Sequence, residues 1–176
     1  NSSTLDVNGK KVTIEQTTEY PWNGDIAIKV AASKAGQWAM KVRIPGWVRN
    51  QVVPSDLYEY SDNLRPQYRI EVNGTLYTPP TGGQGGLTSD GYFTIDRKWK
   101  KGDVVRVHFD MEPRTVRANG KVEADRGFVA IERGPVVYCA EWPDNDFDLM
   151  GALINQEPKM VVEDGTLHAK DTKVAD

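Results

Sequence analysis

The chain has 176 residues, 39% of them hydrophobic and 27% charged, and a net charge of −3 from 25 acids and 22 bases. That length suits one domain with a trailing segment and suffices to bury roughly two-thirds of the unfolded surface, so no covalent staple is required. The interspersed signs leave no basic stripe for a phosphate backbone, and no apolar run reaches the length of a membrane span, which excludes nucleic acid and bilayer as expected partners.

From the N-terminus, Val7-Asn8-Gly9-Lys10 parts two extended runs, and Asn-Gly there predicts a two-residue hairpin turn. Ile26, Ile28 and Val30 then alternate with Lys29, and Trp38, Met40, Val42 and Ile44 alternate with Gln37, Lys41 and Arg43. Tyr68, Ile70 and Val72 repeat the pattern, as do Val105, Val107, Phe109 and Met111. A period of two, one face apolar and the other polar, is the mark of a half-buried strand. Further turns are expected at Asn73-Gly74 and Asn119-Gly120, and a bulge or bend at Gly134-Pro135.

The runs 128–133 and 136–141 are apolar at most positions, which predicts central strands covered on both faces. Residues 48–66 and 79–86 read as loops, and 149–154 as a short helical turn. Together the pattern predicts an all-β, antiparallel sandwich of jelly-roll type with little helix, spanning residues 4–145. The extension 146–176 is expected to add one strand near Met160–Val162 and then fray.

The candidate chemistry is sparse. Cys139 is the single cysteine, set in an apolar run that predicts a buried small hydrophobe and not a reactive thiolate. Asp144, Asp146 and Asp148 place carboxylates at alternate positions, as a calcium loop does, but Leu149 and Asn155 stand where that loop needs Gly and Glu. Glu132 lies inside an apolar run, where Arg126 or Arg133 could pair with it. His108 and His168 have no serine elbow motif to complete a hydrolase triad. No catalytic residue is therefore assigned. Trp22, Trp47, Tyr92, Trp99 and Trp142 sit at strand ends or in turns, positions from which a ring can stack on a sugar or anchor a neighbouring domain.

Five segments in order carry a resemblance. They are Tyr20-Pro21-Trp22-Asn23-Gly24-Asp25, Arg43-Ile44-Pro45-Gly46-Trp47, Val72-Asn73-Gly74, residues 91–99 followed by Gly102-Asp103, and residues 133–139 beginning Arg133-Gly134-Pro135. Over about Val12 to Asn145 the chain resembles the C-terminal β-sandwich region of β-L-arabinofuranosidase-type enzymes, glycoside hydrolase family 127. The resemblance implies a piece of a larger enzyme, a reading that the absence of an initiator Met also suggests. Catalysis would reside in a preceding (α/α) barrel, on a cysteine thiolate bound to zinc, and neither the barrel nor the cysteine cluster is present. It implies no cofactor in this chain, the catalytic barrel as partner, a plant-type, arabinose-containing glycan as parent substrate, and a periplasmic or extracellular setting in bacteria. Two roles stay open: an accessory domain docked on the barrel or a dimer partner, and a free-standing carbohydrate-binding module.

Overall fold

A computed structural model describes residues 1–34, 36–78, 86–155, 158–170 and 173–174. The fold is all-β, with helix limited to short 3-10 turns, and every described strand pairing is antiparallel. In chain order the strands are β1 Ser2–Val7, β2 Lys10–Thr18, β3 Asp25–Ser33, β4 Gln37–Arg43, β5 Tyr58–Tyr60, β6 Tyr68–Val72, β7 Thr75–Leu76, β8 Gly86–Leu87 and β9 Tyr92–Lys98. There follow β10 Val104–Phe109, β11 Pro113–Ala118, β12 Val129–Arg133, β13 Val136–Tyr138, β14 Ala152–Leu153, β15 Lys159–Glu163, β16 Thr166–Lys170 and β17 Lys173–Val174. Two compact units share them: residues 1–49 with 66–110, and residues 50–65 with 111–176. The sequence boundary expected at 145/146 falls inside the second unit.

The first unit is a sandwich of a six-stranded sheet, ordered β1-β2-β3-β10-β6-β7, and a three-stranded sheet, β4-β9-β8. Alternation builds its core as the sequence predicts. Along β4, Trp38, Met40 and Val42 are buried while the residues between them are exposed; on β10, Val105, Val107 and Phe109 are buried, with Arg106 exposed and His108 half-buried between them. Ring contacts bridge the sheets: Phe93 of β9 lies 6.2 Å from Tyr68 and 6.0 Å from Tyr77, both edge-on. Ile44 and Ile95 are fully buried, and each contributes about 1.5–3 kcal/mol by leaving water.

Turn chemistry sets the hairpins. Asn8 and Gly9 (φ 53° and 74°) join β1 to β2, and Asn73 and Gly74 (φ 53° and 79°) join β6 to β7; left-handed φ at both positions is what a type I′ turn demands. Asp164-Gly165 (φ 49° and 82°) makes a third such turn, between β15 and β16. Asn119-Gly120 is not a hairpin: the Asn119 carbonyl accepts the Val122 N–H at 2.9 Å and the chain runs into a 3-10 turn at Glu123–Asp125.

The second unit holds the sheet β13-β12-β11-β5 and two short ribbons, β14-β17 and β15-β16. Gly134-Pro135, expected as a bulge or bend, is the two-residue loop between β12 and β13, with Gly134 at φ +60°. The expectation of two strands covered on both faces is corrected here. β13 is an edge strand, Val137 is 65% exposed, and Phe128 just ahead of β12 is 61% exposed. A 3-10 turn at Leu149–Gly151 stands where a helical turn was predicted, and β15 contains the strand expected at Met160–Val162. The tail expected to fray pairs at Lys173–Val174 with Ala152–Leu153. Most of the loop expected at 79–86 lies outside the described residues, as do 171–172 and 175–176.

Candidate functional site

The five aromatic candidates divide by burial. Trp47 and Trp99 are only 9% and 3% exposed, and this corrects their reading as surface rings. Trp47 meets Phe109 edge-on at 5.7 Å, and its indole N–H points to the Tyr20 hydroxyl at 3.4 Å. Trp99 lies 5.3 Å from Trp38 and donates its indole N–H to the Trp38 carbonyl at 2.9 Å. A Trp at a strand end can turn back over the core whenever a carbonyl there satisfies its N–H. Tyr92 is half-buried with the Arg43 guanidinium 5.2 Å from its ring centre. Trp22 and Trp142 remain open to solvent, at 65% and 57% exposure.

The calcium candidate is not assembled. Asp144 lies in the 3-10 turn Trp142–Asp144, and Asp148 caps the next turn by accepting the Met150 N–H at 3.0 Å. Among the described residues no three His, Cys, Asp or Glu side chains converge on a point that could hold a metal. Cys139 is exposed, not buried as its apolar neighbours suggested, because it follows an edge strand. Its polar contact is the Glu141 carboxylate at 3.6 Å. A single surface thiol does not fit the thiolate-rich zinc centre that the family resemblance implies, so no chemistry is assigned to zinc in this chain.

Glu132 has different partners from those expected. It faces Arg114 across the β11–β12 pair and accepts a hydrogen bond from the Tyr60 hydroxyl. Arg114, 4% exposed, is the hub of the second unit. Its Nε is 3.1 Å from both Asp62 oxygens, and its Nη2 reaches Asp62 Oδ1 at 2.6 Å and Asn50 Oδ1 at 2.7 Å. Burial pushes the Glu132 carboxyl above its usual range, with the Tyr60 bond and Arg114 offsetting only part of that rise. Burial, and then the bond to Glu132, likewise raises the Tyr60 hydroxyl well above the ordinary phenol value. Of the two acids here, Asp62 binds the guanidinium and Glu132 the phenol. The arrangement stitches residues 50–65 to β11 and β12, and sequence separations of 52 and 72 hide it from local pattern.

Several residues of the resemblance motifs serve turns and core. Gly24 admits Phe109 at a distance no side chain tolerates, since a Cβ there would lie 2.0 Å from the Phe109 carbonyl oxygen. Asn73 donates to the Asp103 carboxylate at 3.0 Å and accepts the Val104 N–H at 2.9 Å, which locks the β6–β7 turn onto the start of β10. Asp103 also accepts the Lys100 N–H at 2.9 Å. Burial alone would raise its carboxyl, but the Asn73 and Lys100 bonds with nearby Arg97 outweigh burial and hold it below the usual range.

Known proteins match along these same residues. The model of the β-L-arabinofuranosidase GH127 middle domain covers residues 1–111, and that of the glycoside hydrolase family 127 C-terminal domain covers 113–170. The chain belongs to glycoside hydrolase family 127. The junction of the two family 127 models falls beside the break between the compact units at Asp110 and Met111. A non-reducing end β-L-arabinofuranosidase of Bifidobacterium longum is 33% identical over 141 residues, 78% of this chain and 18% of that protein. A solved family 127 β-arabinofuranosidase superposes with a TM-score of 0.82 at 54% identity, over 92% of this chain and 24% of that one. The family 127 β-L-arabinofuranosidase of Geobacillus stearothermophilus gives 0.73 at 29% identity, over 91% and 22%. The chain thus spans no more than a quarter of the length of these relatives.

Proposed function

We propose that these residues form the non-catalytic β-region of a family 127 glycosidase acting on plant-type, arabinose-containing glycans, docked against the (α/α) catalytic barrel or a dimer partner. The observation that carries this reading is the surface of the second unit. Phe128, Val137, Trp142, Met150 and Leu153 are each more than half exposed, between 57% and 74%. Between Arg117 and Ala169, Gly134 alone among the described residues is buried. A unit with so many open apolar side chains and so few buried ones gains by meeting another surface. The small share of each relative's length that the chain spans agrees with a larger parent.

Trp22 and Trp142 are the candidates for interface anchors. Trp47 is not, since its ring already packs inside the first unit. A free-standing carbohydrate-binding module built on surface aromatics is the weaker reading, because Trp47 and Trp99 are unavailable to it. Zinc chemistry, on this proposal, belongs to the rest of the parent polypeptide.

The test is to substitute Val137 and Trp142 by Asp and Ser in the full parent polypeptide. The expected result is a lower Tm and faster proteolytic release of the β-region, with arabinofuranoside hydrolysis weakened through loss of folded enzyme. Unchanged Tm and protease resistance would refute docking through this surface.

A further inference from the structure

We infer that Asn8 is a site of spontaneous modification, deamidating through a cyclic imide to leave aspartate or isoaspartate in the β1–β2 turn. Asparagine followed by glycine occurs at Asn8-Gly9, Asn23-Gly24, Asn73-Gly74 and Asn119-Gly120. Each pair offers the same reagents: a side-chain amide carbon, and the nitrogen of a residue whose missing Cβ leaves the approach open. The fold distinguishes among them by what it does to the amide.

Asn23 donates to the Glu19 carboxylate at 2.9 Å and accepts the Asp25 N–H at 3.0 Å. Asn73 donates to Asp103 at 3.0 Å and accepts the Val104 N–H at 2.9 Å. Asn119 donates to the Asp56 carbonyl at 3.2 Å and accepts the Lys121 N–H at 3.1 Å. Both ends of these amides are fixed, so Cγ cannot swing toward the next nitrogen until two bonds break. Asn8 is exposed, and among the described residues neither end of its amide is held. A type I′ turn fixes the dihedral between its two central residues, so the turn must open before attack. Here that is cheap. β1 is the outermost strand of its sheet and is exposed from Ser2 to Asp6, so the hairpin end can part without uncovering core. The Gly9 N–H donates to the Asp6 carboxylate at 2.8 Å. That acceptor is itself exposed, draws on the hydrogen that the nitrogen must lose, and leaves the Asn8 amide untouched.

In the reaction the Gly9 nitrogen gives its proton to solvent and bonds to Asn8 Cγ. The Cγ–Nδ2 bond breaks, and the leaving group takes a proton from water and departs as ammonia. One water then opens the five-membered imide at either carbonyl, giving aspartate or isoaspartate, with no electron transferred. Either product adds a negative charge. Isoaspartate also lengthens the main chain by one methylene, which a two-residue turn of fixed register does not accommodate, so β1 loses its pairing with β2.

The test is to age the intact parent polypeptide at mildly alkaline pH and follow each Asn-Gly site by peptide mass mapping with isoaspartate detection. We expect Asn8 to convert about tenfold faster or more than Asn23, Asn73 and Asn119, each held by two hydrogen bonds. The acidic species that accumulates on isoelectric focusing should be absent from Asn8→Gln, whose longer side chain would have to close a six-membered ring. Asp103→Ala, which removes the acceptor of the Asn73 amide, should speed conversion at Asn73 and leave Asn8 unchanged. In urea the four sites should convert at similar rates. Conversion at Asn8 that is absent, or no faster than at the other three, overturns the inference. A preference for Asn8 that persists in urea overturns it too, because the fold would not be its cause.

Discussion

The Arg114 guanidinium lies 3.4 Å from the centre of the Tyr60 ring while its edge grips Asp62. Stacking and ion pairing therefore act on the same cation from two directions, and one face of the ring and both carboxylate oxygens are organised by it. Arg114→Ala would leave Asp62, itself largely shielded, without its partner. Removing one member of a buried pair costs about 3–5 kcal/mol. Urea denaturation should register a loss of that size, and limited proteolysis should cut first within 50–65. Arg114→Lys should recover little of it, because a point charge cannot make the side-on bidentate contact and the stack together. Recovery of wild-type stability by Lys would show that charge alone matters here.

Glu132 and Asp103 make opposite contributions to the pH dependence of stability. The Glu132 carboxyl is raised in the fold, so the native chain keeps that proton after the unfolded chain has released it. Its stabilising effect is complete below the ordinary carboxylate value and is lost as pH rises through the folded value. Glu132→Gln preserves an acceptor for the Tyr60 hydroxyl and should be progressively more stable than wild type as pH climbs from 4 to 7. Tm curves that stay parallel across that range would count against this assignment.

Asp103 is lowered, so its contribution is complete above the ordinary carboxylate value and disappears as pH falls through the folded one. Asp103→Asn should cost stability at neutral pH, where the ionised acceptor holds the Asn73 amide and the Lys100 N–H, and the penalty should shrink in acid. Equal penalties at pH 7 and at pH 3 would mean that shape, and not charge, is what Asp103 supplies.

Exposure of Cys139 gives a direct chemical readout. A thiol-specific reagent should titrate one sulfur per chain in native buffer, without denaturant, and Cys139→Ser should change stability by no more than about 0.5 kcal/mol. Protection of the same thiol in the full parent polypeptide would mark this edge as covered there.

What the sequence disclosed follows from the range of the interactions. Trp38, Met40 and Val42 were legible as core because alternation along one strand carries the information. Asn8-Gly9 and Asn73-Gly74 were legible because a type I′ turn is decided by two residues. Val137 misled, since an apolar run looks the same whether a strand is central or at an edge, and the neighbour across the sheet decides that; Phe128 misled because β12 begins one residue after it. Trp99 was ambiguous for a related reason: its indole N–H finds a carbonyl 61 positions away. The Arg114 hub arises only when distant strands come into register, so no local window contains it.

Two glycines within the resemblance motifs should respond unequally to the same methyl group. At Gly24 an added Cβ would lie 2.0 Å from the Phe109 carbonyl oxygen and 2.9 Å from its carbon. That obstacle is backbone, pinned by the bond from the Phe109 N–H to the Gly24 carbonyl at 3.1 Å, so relief requires β10 to move. At Gly134 the added atom would meet the Met111 Cε at 2.4 Å, the free end of a flexible thioether that can change rotamer. The second site also has φ +60°, which costs a non-glycine residue about 1–2 kcal/mol in a left-handed conformation. Gly24→Ala should therefore lose more stability than Gly134→Ala despite its ordinary φ, by about 1 kcal/mol or more if overpacking follows its usual scale. Equilibrium denaturation of both variants decides the matter: an equal loss, or a larger one at Gly134, would mean that backbone strain outweighs the clash with Phe109.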